Sequence, residues 1–251
     1  MAKILIAISS CVEYANNGNN QVLRETYLQD VGRFPGLEYR IFIGDGTKAK
    51  EDTTAFEDSF NTCPWSAFPK KQVEQPLFTY TPKPDEVILQ VEDGYKHIAY
   101  KTRESQRWST EQGFDYTFRC FPDTYVHIPR LISSGFEKHD YIGYNANPGC
   151  GAGGGPGYWL SRRASENLIN EHIGVWFEDM WVGTMMEKHG IPFYLDQRYS
   201  NFEVPSKDND LITCHMGHTE DPGFEYSQEK MRAAYELSKP SERVIRFRRR
   251  K

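Results

Sequence analysis

The sequence predicts an α/β fold built on a Rossmann-like, doubly wound sheet, and three segments near its start carry that prediction. Lys3 to Ile8 is a short apolar run of the kind that forms a strand buried on both faces. From Gln21 to Val31, the residues Val22, Leu23, Tyr27, Leu28 and Val31 recur at three- and four-residue spacings, the period of a helix with one apolar face. Tyr39 to Ile43 is a second apolar run, closed by Gly44-Asp45-Gly46. Strand, helix and strand in that order open a doubly wound sheet.

The later elements follow the same logic. Residues 47 to 84 hold five prolines and no sustained period, and read as an irregular insertion within the domain. Glu86 to Val91 reads as a strand, Tyr95 to Gln112 as a helix, and Phe114 to Arg119 as a strand ending at Cys120. Thr124 to Ser134 reads as a short helix and Tyr141 to Tyr144 as a strand. A glycine-rich segment, 149 to 157, precedes a strand at Tyr158 to Ser161 and a helix at Arg162 to Asn170. A helix at Phe177 to His189, strands at Pro192 to Leu195 and Leu211 to Cys214, and a helix at Tyr226 to Leu237 complete the list. One domain, 1–240, with a basic tail, 241–251, accounts for the chain, and neither a repeat nor a linker divides it.

At 251 residues the chain suits a single α/β domain. The net charge of -5 argues against a surface that tracks nucleic acid throughout. The 15 Tyr, 15 Phe and 5 Trp supply packing area, and side chains of this kind also line sugar-binding clefts. No apolar stretch matches a secretory leader or a membrane span, so a cytoplasmic protein with no membrane partner is expected. Cys11, Cys63, Cys120, Cys150 and Cys214 lack zinc-like spacing and read as reduced, packed thiols.

Four segments hold candidate chemistry. Asp123 lies just past the strand within FDYTFRCFPDTYVHIPRL, where open α/β sheets bind ligands and a carboxylate can hold a divalent cation. The plain alternative is that it caps the following helix. Glu178 and Asp179 open the helix in EDMWVGTMMEKHGI, either as first-turn carboxylates favouring the helix dipole or with one of them facing a cleft as general base. GCGAGGGPGYWLSRR sets flexible backbone, including Gly154 and Gly155, beside Tyr158 and Trp159. It is a loop that can border an acceptor, or simply a flexible connection, and it lacks the Lys-Ser/Thr of a phosphate loop. CHMGH places His215 and His218 after a strand, as cation ligands or as structural histidines.

Taken together and in this order, these pieces resemble the fringe and β-1,3-galactosyltransferase family of glycosyltransferases. The resemblance begins at KILIAISSC and RETYLQDVG, where Arg24 and Thr26 match an Arg-x-Thr-Trp pattern with Tyr27 in place of the Trp. It continues through DGYKHIAYKTRESQRW, the strand before Asp123, GGPGYWLSRRA, FEDMWVG and LITCH. It implies a GT-A fold, a nucleotide-diphospho-sugar donor (usually a UDP-sugar), and a Mn²⁺ or Mg²⁺ ion. It also implies hexosyl transfer by direct displacement with inversion, giving a β-linked product. In those terms Asp179 is the base, with Glu178 as the alternative. Asp123 and His215 hold the metal. Asp123, Arg24, Asp93 and Lys101 lie around the nucleotide, and Gly154, Gly155, Tyr158 and Trp159 line the acceptor side.

One departure stands out. Where the family usually carries three successive Asp residues, this chain has Phe121-Pro122-Asp123. That opens a second expectation, a catalytically degenerate nucleotide- or sugar-binding protein. The chain looks like a minimal soluble version of the family, of bacterial, phage or viral type. Its acceptor can then be a glycan, a protein or another hydroxyl compound, including a hydroxylated DNA base. The basic tail Arg243 to Lys251 would suit DNA electrostatically, and otherwise reads as a disordered end.

Overall fold

The computed structural model describes residues 2–48, 51–62, 80–144, 151–201, 203–217 and 227–239. The chain begins with β1 (Ile4–Ser9), α1 (Val12–Asn16), α2 (Asn19–Glu25) and β2 (Leu37–Gly44). It continues through α3 (Thr54–Thr62), β3 (Glu86–Leu89), α4 (Ile98–Glu111) and β4 (Tyr116–Cys120). Next come β5 (Thr124–Val126), α5 (Ile128–Ile132), β6 (Tyr141–Gly143), β7 (Tyr158–Ser161) and α6 (Arg162–Leu168). The last are α7 (Glu178–Lys188), β8 (Phe193–Leu195), β9 (Tyr199–Ser200), β10 (Thr213–His215) and α8 (Gln228–Ser238).

The α/β architecture expected from the sequence is the one the chain builds. Seven strands form a mixed sheet in the order β3-β2-β1-β4-β7-β6-β8, and β5-β10-β9 form a second, three-stranded sheet. Strand β1 lies in the interior of the sheet, between β2 and β4, and is apolar on both faces. Ile4, Ile6 and Ile8 join one buried cluster, with Val22 and Leu23 of α2, Met231 of α8 and Tyr125 and Cys214 of the small sheet. Leu5 and Ala7 join the other, with Ala99 of α4, Ala164 of α6 and Trp181 of α7. The sheet is therefore covered on both sides, as a mainly parallel sheet requires.

In the large sheet only β7 reverses. It is antiparallel to β4 and β6, while the other pairings are parallel. The reversal matters for the site. The carboxyl ends of β1 to β4 and the amino end of β7 share one edge, so the glycine-rich segment enters the edge where open α/β sheets bind ligands. Its last residue, Gly157, has φ +82°. A Cβ there would lie 2.5 Å from Cζ of Phe118 and 2.8 Å from the Arg119 carbonyl.

Local structure departs from expectation in several places. Thr124 to Val126 is a strand, not the start of a helix. Its Thr, Tyr and Val suit a pleated surface, it pairs antiparallel with β10, and Pro129 stands at the entry to α5. The helix expected over 21–31 ends at Glu25. The Thr26 hydroxyl turns back to the Val22 carbonyl (2.7 Å), and 3-10 turns follow from Tyr27 to Arg33. The stretch expected to be irregular contains α3, while 63–79 lie outside the described residues, as do 145–150, His218 and the basic tail. Cys11, Cys120 and Cys214 are free thiols, and Cys63 and Cys150 lie outside the described residues. Among the described residues no helix is long and apolar enough to cross a membrane.

Because Gly157 combines a positive φ with contact on two sides, Gly157→Ala is expected to destabilise the protein by at least about 2 kcal/mol in urea unfolding. The small-sheet substitution Ser200→Ala is expected to change it by less than about 1 kcal/mol.

Candidate functional site

The loops after β1, β2 and β3 are locked together at the carboxyl-end edge of the sheet. Asp93 accepts from the backbone amides of Gly44 (2.8 Å) and Val12 (2.7 Å). Lys101 of α4 reaches down to the carbonyls of Ser10 (2.7 Å) and Asp93 (2.8 Å) and to Asp93 Oδ1 (3.1 Å). Both side chains are buried, and each is paired, as buried charges must be. Asp93 and Lys101, expected around a nucleotide, thus act on the loops that border the cleft. Arg24 lies elsewhere, on the face covered by α2. It is held bidentately by Asp85 (2.7 and 2.9 Å) and by Glu86 (2.7 Å).

Asp123 follows β4 in a tight turn in which the Thr124 amide donates to the Phe121 carbonyl (3.1 Å). It caps no helix. Its carbonyl accepts from Met216 (2.9 Å), and β5 pairs with β10 in the register His215↔Thr124. That pairing brings His215 Nε2 to 3.3 Å from Asp123 Oδ2. Asp123 Oδ1 is buried without a hydrogen-bond partner. Gly217 adjoins the carboxylate so closely that a Cβ would sit 2.1 Å from Oδ2.

The glycine-rich segment passes directly over this pair. The Gly155 carbonyl accepts from Thr124 Oγ1 (2.7 Å), and the Pro156 carbonyl from Thr213 Oγ1 (2.8 Å). A Cβ on Gly155 would meet His215 Nδ1 at 2.5 Å, so backbone lies against the imidazole where no other residue fits. One residue earlier, the Gly154 amide faces Asp179 Oδ2 at 3.5 Å. Asp179 stands in the first turn of α7, partly exposed, with Oδ1 accepting from the Met180 amide (2.9 Å). The two-residue stretch Gly154-Gly155 therefore has Asp179 on one flank and the Asp123–His215 pair on the other.

Tyr95, at the turn before α4, marks the same cleft. Taken whole, the residue is 63% exposed, with its phenol crowded enough that desolvation, and after it the charges of Asp179 and Asp123, pushes the hydroxyl up.

Glu178 is a different kind of residue from its neighbour. It is 6% exposed and accepts from Thr102 Oγ1 (3.0 Å) and from the Tyr158 hydroxyl. Burial raises its carboxyl above the ordinary value of 4.5, against the opposing pull of Arg119. Tyr158 and Trp159, expected beside an acceptor, are both fully buried. Tyr158 belongs to the Glu178 cluster. Trp159 stacks on Phe136 at 3.8 Å and donates to the Tyr199 hydroxyl (3.0 Å).

Three participants were not singled out from the sequence: Arg119, Tyr95 and Gly217. Arg119 left a signal, a lone charge inside the apolar strand YTFRC. Gly217 left none, because its role depends on a carboxylate distant along the chain.

No family model and no curated protein matches the chain. A solved structure it is similar to comes from Desulfovibrio desulfuricans G20 and is described as a "putative nucleotide-diphospho-sugar transferase". The identity is 11% and the TM-score 0.42, over 78% of this chain and 80% of that one. A likeness of this size leaves the functional reading to the side chains themselves.

The raised Glu178 pKa has a stability consequence of definite sign. Folding disfavours its ionised form, so the stabilisation relative to an uncharged residue is complete below 4.5 and is lost as pH climbs through the raised folded value. Urea unfolding of the native protein and of Glu178→Gln between about pH 4 and 8 should show the difference moving in favour of the variant as pH rises.

Proposed function

We propose that this chain is a glycosyltransferase that moves a sugar, with inversion, from a nucleotide-diphospho-sugar (a UDP-sugar) to an acceptor hydroxyl. One observation carries the reading. A partly exposed carboxylate, Asp179, and a carboxylate–imidazole pair, Asp123 and His215, flank the same two glycines at the ligand-binding edge of the sheet.

In this reading Asp179 accepts the proton of the acceptor hydroxyl as its oxygen attacks the anomeric carbon. The new carbon–oxygen bond forms as the bond to the diphosphate breaks, and the electron pair leaves with the diphosphate. Asp179 suits this role better than Glu178, which is sealed among Thr102, Tyr158 and Arg119 and out of reach of an incoming hydroxyl.

Asp123 and His215 would hold Mn²⁺ or Mg²⁺. Their oxygen and nitrogen donors suit Mn²⁺. The buried, unpartnered Asp123 Oδ1 and the space that only Gly217 leaves beside Oδ2 fit such a ligand. Two protein ligands leave the remaining coordination to diphosphate and water, a usual arrangement for hard cations at phosphates. When bound, the ion neutralises charge on the departing diphosphate. Gly154 and Gly155 leave bare backbone along the sugar's path, and the exposed Tyr95 borders its entrance. The family resemblance, with its GT-A fold, agrees with this assignment of roles.

Phe121 favours one alternative. Its ring is engaged in packing, 3.7 Å from the Arg119 guanidinium, at a position where the family usually has a carboxylate. A protein that binds the nucleotide but does not turn it over would share that feature.

A panel of nucleotide sugars with Mn²⁺, followed by nucleotide release, tests the proposal. Asp179→Asn should lower kcat by about 100-fold or more with donor binding retained. Asp123→Ala and Gly217→Ala should weaken Mn²⁺-dependent UDP binding in calorimetry by about tenfold or more. Full turnover in Asp179→Asn removes the base, and UDP binding without turnover in the native protein selects the binding reading.

A further inference from the structure

Beneath Gly154 lies a buried polar cluster that the reaction as written does not use. Arg119 of β4 has 0% exposure. Its Nε stands 3.3 Å from Glu178 Oε1 as an ion pair, its Nη1 donates to the Gly154 carbonyl (3.1 Å), and both Nε and Nη2 are buried without a hydrogen-bond partner. The guanidinium lies 3.7 Å from the centre of the Phe121 ring and 5.6 Å from that of Tyr158. Glu178 is held in turn by Thr102 of α4 and Tyr158 of β7. Gly154 closes the cluster from above. A Cβ there would meet Glu178 Oε2 at 3.0 Å and Arg119 Nη1 at 3.2 Å.

The cluster thus joins β4, β7, α4 and α7, and Gly154 lies between it and Asp179. The same residue that receives Arg119 on its carbonyl turns its amide to Asp179. A free loop would spread this glycine over many conformations, because glycine is the least restricted residue. A buried ion pair that removes such freedom also loses much if either partner is taken away.

Resting on the assignment of Asp179 above, we infer that Arg119 and Glu178 are positioning residues. Together they fix Gly154 and, through it, the Gly154-Gly155 stretch against Asp179, and Phe121 is the apolar cover of the guanidinium. The residue that breaks the family's acidic pattern then has a physical role. A carboxylate at position 121, beside both Gly154 and the guanidinium, would compete with Glu178 for Arg119. Phe121 attracts the cation weakly through its ring face and leaves the pairing with Glu178 intact.

Two readouts test this on the intact 251-residue chain: hydrogen exchange of the amides in 151–157, and steady-state kinetics with the donor. Arg119→Lys keeps the charge and loses the planar fork that reaches both Glu178 and Gly154. It should speed exchange in 151–157 by about tenfold or more, since the opening of this segment is then held by one contact fewer. It should also lower kcat by about 100-fold, the cost of a misplaced reacting group, with donor KM changed by less than about threefold. Phe121→Asp should behave in the same direction, and Phe121→Leu should stay close to the native protein.

If Arg119→Lys does not fold, Glu178→Gln carries the test, because its Oε1 can still accept from Thr102 and Tyr158 while the charge facing Arg119 is gone. Native exchange in 151–157 together with native kcat in Arg119→Lys, or in Glu178→Gln where it replaces it, overturns the inference. Failure of the functional reading looks different. A native protein that turns over no nucleotide sugar, or Asp179→Asn that turns over fully, overturns that reading and leaves exchange in 151–157 to decide this one.

Discussion

The site depends on a buried charge that has to be compensated. Arg119 enters the interior on a strand whose neighbours are apolar, and an isolated guanidinium in such surroundings would be costly. Glu178 meets it from the start of α7, so the register of that helix against β4 is tied to one ion pair. Once Glu178 is placed, Asp179 follows. Adjacent residues on a helix point about 100° apart, so a buried Glu178 turns Asp179 toward the edge of the sheet. The separation of roles between two neighbouring carboxylates is thus a matter of helix geometry.

Much of this was legible in the sequence, for reasons particular to each element. Strand β1 could be read because it is apolar from Ile4 to Ile8 and buried at every position. The order of the motifs along the chain singled out Asp123, His215, Asp179 and the two glycines, which the structure brings to one cleft. The segment after Asp123 could not be read correctly. Whether Thr124 to Val126 is strand or helix is decided by pairing with β10, information that lies far along the chain. The same limit applies to Tyr158 and Trp159. An aromatic pair beside glycines reads equally well as a sugar platform or as core, and the burial of both faces of β7 decides for core.

Lys101 and Asp93 show how charged residues of a motif can hold the backbone around them. Their charges are used up on backbone groups of the loops after β1, β2 and β3. A charged pair can hold such loops at a set spacing where an apolar contact could not satisfy their amides and carbonyls. Arg24 is likewise engaged by two carboxylates.

The antiparallel pairing of β5 with β10 gives the Asp123–His215 pair an all-or-none character. Side chains alternate across a strand, so a slip of one residue at this pairing would turn the imidazole to the opposite face and seat a thiol, Cys214, or a thioether, Met216, near the carboxylate. Correct threading of this small sheet is therefore a checkpoint. A molecule that misaligns these two short strands can keep its main core intact and still lack the Asp123–His215 pair.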